Sequence, residues 1–217
     1  MIKENYLSHC DNKADKLIDE VYSVVKKHAF EFKFENSALL VIDMQNYFLM
    51  RDSHAYIPSA SCILHPINKL VTDFKKRNCK IIFTKHSNTD EDAGMMKKWW
   101  NDVLKNDSRA SIVENLDKSG AEILPKTQYD AFYNTRLEII LRENGIKQVV
   151  ITGVTANLCC ESTARSAFIR GFEVFFPVDC TAAYNEQLHL STLHNLSHGF
   201  AHIVKSTDLL NPQTADE

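Results

Sequence analysis

Several features that would place a chain in a special class are missing from these 217 residues. No apolar run approaches the ~18 residues that a membrane span needs. The 25 basic and 28 acidic residues are mixed, so neither a nucleic-acid footprint nor a polybasic membrane patch is present. The polar first residues do not resemble a signal peptide. We therefore expect a cytoplasmic protein that binds neither nucleic acid nor membrane.

The cysteines are scattered along the chain at irregular spacing. The six cysteines lack the paired spacing of a zinc site. Cys159 and Cys160 are adjacent, which is a poor geometry for a disulfide between them. Because a reducing compartment is expected, each cysteine is interpreted first as a small buried hydrophobe and then as a candidate nucleophile.

No internal repeat, low-complexity tract or linker divides the chain, which is long enough for one well-buried domain. Residues 13–29 place apolar side chains at helical spacing. We therefore expect an amphipathic helix within an N-terminal extension of residues 1–35, followed by a single domain over residues 36–217.

Short apolar segments alternate with amphipathic ones through that domain. Strands that alternate with helices of 10–15 residues form βαβ units, in which helices cover both faces of a parallel sheet. The pattern therefore predicts an α/β fold, a three-layer α/β/α sandwich. We predict strands over 38–43, 80–84, 121–125, 148–152, 173–178 and 202–205, and helices over 60–77, 94–104, 157–170 and 186–199, with a further helix capped by Thr135 and Glu138 and ended by Gly145.

Chemistry-bearing residues follow four of the predicted strands. In a parallel sheet, ligands bind at the carboxyl ends of the strands. Asp43, His86, Lys126 and Cys159 all fall at that edge. Cys159 lies where a helix should begin, and the helix dipole and unpaired N–H groups there favour a thiolate.

These residues suit nucleophilic catalysis. A free thiol is mostly protonated near pH 7 and needs a base or a positive neighbour. Asp43 would accept the proton, Lys126 would hold the aspartate and stabilise the anion, and Cys159 would attack a carbonyl carbon. The alternatives remain open, since a strand-end aspartate is often a turn former and a lysine is most often a solvated surface charge.

Three segments resemble the signatures of the isochorismatase-like cysteine hydrolases. In order, they read VIDMQNYF (41–48), KTQYDAFYNTRL (126–137) and ITGVTANLCCESTAR (151–165). The resemblance extends from about residue 36 to residue 210. It implies a Rossmann-like fold with a six-stranded, mostly parallel sheet, so that residues 36–217 form an isochorismatase-like hydrolase domain.

The resemblance also implies roles for individual residues. Asp43, Lys126 and Cys159 correspond to the catalytic triad of the family. A cis peptide bond would precede Thr155, and the N–H groups of Thr155 and Cys159 would form an oxyanion hole. The neighbouring Cys160 points about 100° away on a helix and is expected to be a packed small hydrophobe.

Nicotinamidases resemble this scaffold but bind a metal through an Asp-x-His pair after the second strand. Here that stretch reads Thr84-Lys85-His86, so the aspartate is missing. We therefore predict no metal and no cofactor. His194 and His198 share a helix face, for which a surface or interface role is favoured over a metal site.

The expected partner is a small-molecule substrate, and the resemblance implies a homo-oligomer, either a dimer or a tetramer. The helix over 13–29 is a candidate contact for assembly. The segment around Trp99 and Trp100 fits an aromatic lid, a packed insert or a subunit contact equally well. The expected substrate-binding residues are Gln45, Tyr47, Phe48, His86, Trp100, Tyr129 and Phe132.

The cysteine separates two reactions within the family. True isochorismatases carry glycine at this position and hydrolyse a vinyl ether without covalent catalysis. Because Cys159 is present, we favour an amidohydrolase that cleaves a C–N bond through a thioester. The alternatives are ether hydrolysis by Asp43 and Lys126 alone, and a non-catalytic binding protein, against which the intact triad argues.

Overall fold

A parallel sheet forms the centre of the protein, whose computed structural model describes residues 1–8, 10–28 and 30–210. The strand order is β3-β2-β1-β4-β5-β7, and β6 pairs with β4. Every pairing between these strands is parallel. The strands are β1 (Ser37–Ile42), β2 (Lys80–His86), β3 (Glu122–Lys126), β4 (Gln148–Val154), β5 (Glu173–Pro177), β6 (Thr181–Ala182) and β7 (His202–Val204).

The two central strands are buried along their whole length, since helices cover both faces of the sheet. Their β-branched and leucine-rich sequences suit this position. In register, Leu39 of β1 lies between Ile81 of β2 and Val150 of β4. The prediction of an α/β sandwich is thereby confirmed.

Eight α-helices occur in the described residues. The connections from β1 to β2 and from β4 to β5 run in opposite directions along the sheet, so right-handed crossovers place α3 and α6 on opposite faces. The helices are α1 (Cys10–Val24), α2 (Asn46–Leu49), α3 (Leu64–Lys76), α4 (Met95–Trp100), α5 (Leu137–Glu143), α6 (Glu161–Ile169), α7 (Glu186–Gly199) and α8 (Ser206–Leu210).

The sheet has seven strands rather than the six expected. The additional strand β6 contains only two residues, Thr181 and Ala182, which pair with the end of β4. A strand this short leaves no periodic pattern in the sequence, so it is identified only by its pairing with β4.

Several helix boundaries differ from the prediction. The first helix is Cys10–Val24 rather than 13–29, and α4 ends at Trp100 because Asn101 adopts a left-handed conformation. The predicted capping box is wrong: Thr135 accepts a hydrogen bond from the Leu137 N–H, but Glu138 pairs with Arg142 and Arg170 instead. Local patterns therefore located the helices but not their ends.

The N-terminal segment packs against the domain. Leu17 and Val21 of α1 are buried, and α1 contacts α7. The Tyr22 hydroxyl donates a hydrogen bond to the carbonyl of Ile203, 2.6 Å away. The apolar face of this helix is therefore covered within the chain. Across the described residues, no helix has both the length and the apolar character required to cross a membrane.

Candidate active site

The end of β4 approaches β1 closely, and this approach positions the turn that carries Cys159. Gly153 has φ +107°, and a Cβ at this position would lie 2.0 Å from the carbonyl oxygen of Ile42. Only glycine fits there. The next peptide bond, Val154–Thr155, is cis, as the family resemblance implies.

Asp43 follows β1 in a left-handed conformation, with φ 47°, and is fully buried. The Thr84 hydroxyl donates to Asp43 Oδ1 at 2.6 Å, and the Asp43 N–H donates to the Thr84 hydroxyl at 2.9 Å. This reciprocal pair fixes the carboxylate against β2 and leaves its other oxygen, Oδ2, for the remaining site residues.

Lys126 supplies the positive charge of the site. It is the last residue of β3, in register with His86 of β2. Its Nζ lies 2.8 Å from Asp43 Oδ2, and both side chains are shielded from solvent. The ammonium also donates to the carbonyls of Gln128 at 2.7 Å and Tyr129 at 3.2 Å. Such contacts are needed to hold a charged lysine in the interior.

Cys159 lies in a single π-helical turn, Ala156–Cys160, directly before α6. The sulfur lies close enough to the Asp43 carboxylate, the Lys126 ammonium and the Thr155 backbone for each of them to shift its pKa. The structure thus brings the three predicted catalytic residues into one buried cluster and places Thr155 against the same sulfur.

The protonation of this cluster follows from burial and charge. Burial raises the pKa of the Cys159 thiol to about 12; Lys126 opposes this rise and Asp43 adds to it. Burial also disfavours the Lys126 ammonium, but the neighbouring Asp43 and Cys159 more than offset this, so the pKa of Lys126 is raised. The resting site therefore holds a protonated thiol beside a lysine ammonium.

His86 is a neutral imidazole at the edge of the cluster. Burial, together with the charge of the Lys126 ammonium, lowers its pKa to about 4. Its Nδ1 is buried and has no hydrogen-bond partner among the described residues. Because buried polar atoms are normally paired, this nitrogen is available to a bound molecule.

A small cavity of about 60 Å³ opens onto Cys159. Five of the seven expected substrate-binding residues line it. Helix α2 supplies two of them and α4 supplies one. The five are Tyr47, Phe48, His86, Trp100 and Tyr129, and Thr155 and Cys159 also line the wall.

The structure does not bring Gln45 and Phe132 to this cavity. The Gln45 amide donates to the carbonyls of His86 and Ala110 and accepts the His86 N–H, so its hydrogen bonds fasten backbone segments. Phe132 stacks on Phe172, with ring centroids 6.1 Å apart. Both flank signature residues in sequence, yet their side chains point into the core.

Four polar lining residues were missed by the sequence analysis. Asp102 Oδ2 lies 2.9 Å from the Tyr47 hydroxyl and 3.2 Å from His54 Nδ1. Asn88 and Tyr184 lie elsewhere in the same wall. Asn88, two residues after the end of β2, occupied a position that could have suggested a role.

Neither Cys160 nor His189 forms a second reactive centre. Cys160 is fully buried, and its sulfur lies 3.9 Å from the carbonyl of Thr152, as expected for a packed small hydrophobe. His189 is buried between Tyr6 and Thr181. Within residues 1–8, 10–28 and 30–210, no three His, Cys, Asp or Glu side chains are grouped to hold a metal ion. His86 alone does not fit one.

Comparison with known proteins supports a single family. A family model described as "Isochorismatase domain" matches residues 37–208. The chain is 39% identical to Nicotinamidase 3 of Arabidopsis thaliana over 174 residues, covering 77% of this chain and 84% of that protein.

Two solved structures share the fold. A cysteine hydrolase from Pseudomonas syringae superposes with a TM-score of 0.82 at 22% identity, covering 87% of this chain and 97% of that one. A pyrazinamidase of Pyrococcus horikoshii, solved in complex with zinc, superposes with a TM-score of 0.71 at 26% identity, covering 78% of this chain and 99% of that one.

Proposed function

The chain belongs to the isochorismatase family of hydrolases, and from this membership we propose that it is a cysteine-dependent amidohydrolase of small amides. The observation that carries the proposal is the burial of Cys159 beside the ion pair of Asp43 and Lys126. A carboxylate, a cation and a thiol side by side are the groups that acyl transfer through sulfur requires.

The first half of the reaction forms a thioester. Asp43 takes the proton from the Cys159 thiol while the sulfur attacks the amide carbon, and the carbonyl electrons move to oxygen. The N–H groups of Thr155 and Cys159 hydrogen-bond this oxyanion. As the carbonyl re-forms, the C–N bond breaks, and protonated Asp43 gives its proton to the departing amine.

The second half releases the acid. Asp43 takes a proton from water, whose oxygen attacks the thioester carbon. The C–S bond breaks, the sulfur recovers the proton from Asp43, and the carboxylic acid leaves. Throughout both halves the Lys126 ammonium balances negative charge as it moves between the carboxylate and the sulfur.

The raised pKa of the thiol makes a base necessary. With a pKa of about 12 for Cys159, only a minute fraction of the free protein holds a thiolate near pH 7. Proton removal must therefore accompany attack on the substrate, and the neighbouring Asp43 carboxylate serves as the base. This differs from a resting thiolate stabilised by a helix dipole.

The relatives favour an amide borne on a small ring. Nicotinamidase 3 and the pyrazinamidase are both named for heteroaromatic amides. The aromatic lining formed by Tyr47, Phe48 and Trp100 suits a planar substrate. The zinc of the pyrazinamidase structure is not carried over to this chain, because the residues described at this site do not fit a metal ion. Every proposed step therefore uses protein groups alone.

Mass spectrometry of the intact protein tests the thioester directly. On mixing with nicotinamide or pyrazinamide and rapid acid quenching, we expect ammonia release and an acyl adduct on Cys159. Cys159→Ala should lose both, whereas Cys160→Ala, a change to the adjacent sulfur, should keep both. Turnover of either amide by Cys159→Ala contradicts the thiol mechanism. Turnover of isochorismate by that variant would instead support ether hydrolysis by Asp43 and Lys126.

A further inference from the structure

An apolar groove adjoins the catalytic cavity and is built around helix α4. It is lined by the exposed side chains of Met1, Met95 and Trp99. No residue of α4 is buried, although four of its six residues are large and apolar. Contiguous exposed apolar surface of this kind usually marks a binding site.

The groove and the cavity share a wall. Met96, Trp100, Tyr129, Leu158 and Tyr184 line both of them. Within this wall the Trp100 indole N–H donates a hydrogen bond to the Tyr129 hydroxyl, 2.6 Å away. The groove therefore lies directly beside the cavity that opens onto Cys159, and these side chains contact both spaces.

Because the cavity is small, part of a larger amide substrate has to lie outside it. A cavity of about 60 Å³ is small, and a carboxamide borne on one planar ring already fills it. The remainder of a larger amide must lie outside, where Trp99 and Met95 present the nearest apolar surface.

We propose that this groove is a second substrate subsite, which binds an apolar, planar group carried by the amide whose carbonyl carbon lies beside Cys159. The inference rests on the proposed amidohydrolase function and names its substrate class: aryl amides that extend beyond one ring. Methionine and tryptophan side chains suit a flat apolar group, because the sulfur adapts its contacts and the indole stacks. Continuity with the cavity favours a substrate over a second copy of this chain as the occupant.

Two amides that differ only by a distal ring test the subsite. Ammonia release is measured with benzamide and with biphenyl-4-carboxamide. The wild-type protein should show kcat/KM about tenfold higher for the biphenyl amide, the lower end of what apolar contacts contribute to discrimination. Trp99→Ser should reduce the ratio of the two kcat/KM values about tenfold.

The matched control is Ile169→Ser. Ile169 is as exposed as Trp99, at 75%, and it does not line the groove or the cavity. This variant should keep the wild-type ratio. Equal kcat/KM for both amides in the wild type overturns the proposal, as does an equal fall of the ratio in Ile169→Ser. A change of oligomeric state in Trp99→Ser with the ratio preserved also overturns it, because the patch then joins copies of the chain.

Binding to Cys159→Ala separates this proposal from the amidohydrolase function. If neither amide releases ammonia nor acylates Cys159, the proposed reaction fails, and calorimetry still measures affinity. We expect Cys159→Ala to bind the biphenyl amide more tightly than benzamide, and the Cys159→Ala, Trp99→Ser double variant to lose this difference. That result supports the groove as an aryl site. Equal affinities for the two amides reject it.

Discussion

Lys126 Nζ and Asp43 Oδ2 lie 2.8 Å apart at a point where neither side chain contacts solvent. A buried ion pair of this kind is costly to assemble, and removal of one partner leaves the other charge uncompensated. The pair therefore constrains the stability of the fold as well as any reaction of the neighbouring sulfur.

Asp43→Asn should destabilise the protein by about 3–5 kcal/mol, because the Lys126 ammonium loses its partner in the interior. Urea unfolding measures the change, and ammonia release from amides should fall below detection. Asp15→Asn is the control, since its ion pair with Lys205 is partly exposed and contributes at most about 1 kcal/mol. Equal losses in the two variants would show that Lys126 is neutral.

Alkylation of Cys159 by iodoacetamide should rise about tenfold per pH unit from pH 7 to pH 10 without reaching a plateau. The reason is the thiol pKa of about 12, which burial raises. A cysteine in an unstructured peptide with blocked ends, measured in parallel, should level off just above its ordinary pKa of about 8.5. A plateau for Cys159 below pH 8, read by peptide mass spectrometry, would instead indicate a resting thiolate.

The same pKa predicts weaker folding in alkali. Burial raises the folded-state pKa of Cys159 above that of an ordinary thiol, so its contribution to stability is complete below about pH 8.5 and is lost as the pH rises towards about 12. Urea midpoints for the wild type should fall more steeply over pH 9–11 than those of Cys159→Ala. Parallel curves would refute the raised pKa.

Gly153→Ala should prevent folding or destabilise the protein by more than about 4 kcal/mol, as expected for backbone strain combined with overpacking. The added methyl would overlap the Ile42 carbonyl, and φ +107° is unfavourable for alanine. Gly120→Ala, at φ +72° with open space around it, should cost only about 1 kcal/mol. Thermal unfolding compares the two, and a mild effect at Gly153 would show that β4 can retreat from β1.

Tyr6→Phe should destabilise the protein by about 1–3 kcal/mol and raise KM for amides. The Tyr6 hydroxyl accepts the Ala183 N–H and lies 2.9 Å from His189 Nδ1, and both partners would be left unpaired. Nearby, Glu4 donates its N–H to the carbonyl of Tyr184 in the cavity wall. Tyr22→Phe, which also removes a hydroxyl bonded to the backbone, should change stability but not KM.

Much of the fold was accessible from the sequence, because its strands are short, wholly apolar segments between amphipathic helices. The boundaries predicted for α7, residues 186–199, agree with the structure, and each of the six predicted strands is present. Positions at strand ends are set by local pattern together with the parallel arrangement. For that reason Asp43, Lys126 and Cys159 could be assigned to one edge before any distance was known.

The remaining features depend on packing between distant segments. Gln45 and Tyr47 are near neighbours in one signature, yet one fastens backbone segments and the other lines the cavity. His54, Asp102 and Tyr184 reach the cavity from three separate loops. No periodicity in the sequence indicates that these side chains line one cavity, because loop conformations and long-range contacts determine their positions.

The sequence by itself determined which residues are chemically capable and at which edge of the sheet they emerge, since both follow from residue type and local periodicity. Only the tertiary structure decided the electrostatic state of that edge. The sequence predicted a Cys159 thiol that ionises. Burial, which depends on long-range packing, disfavours the thiolate, so the thiol keeps its proton beside Asp43 and Lys126.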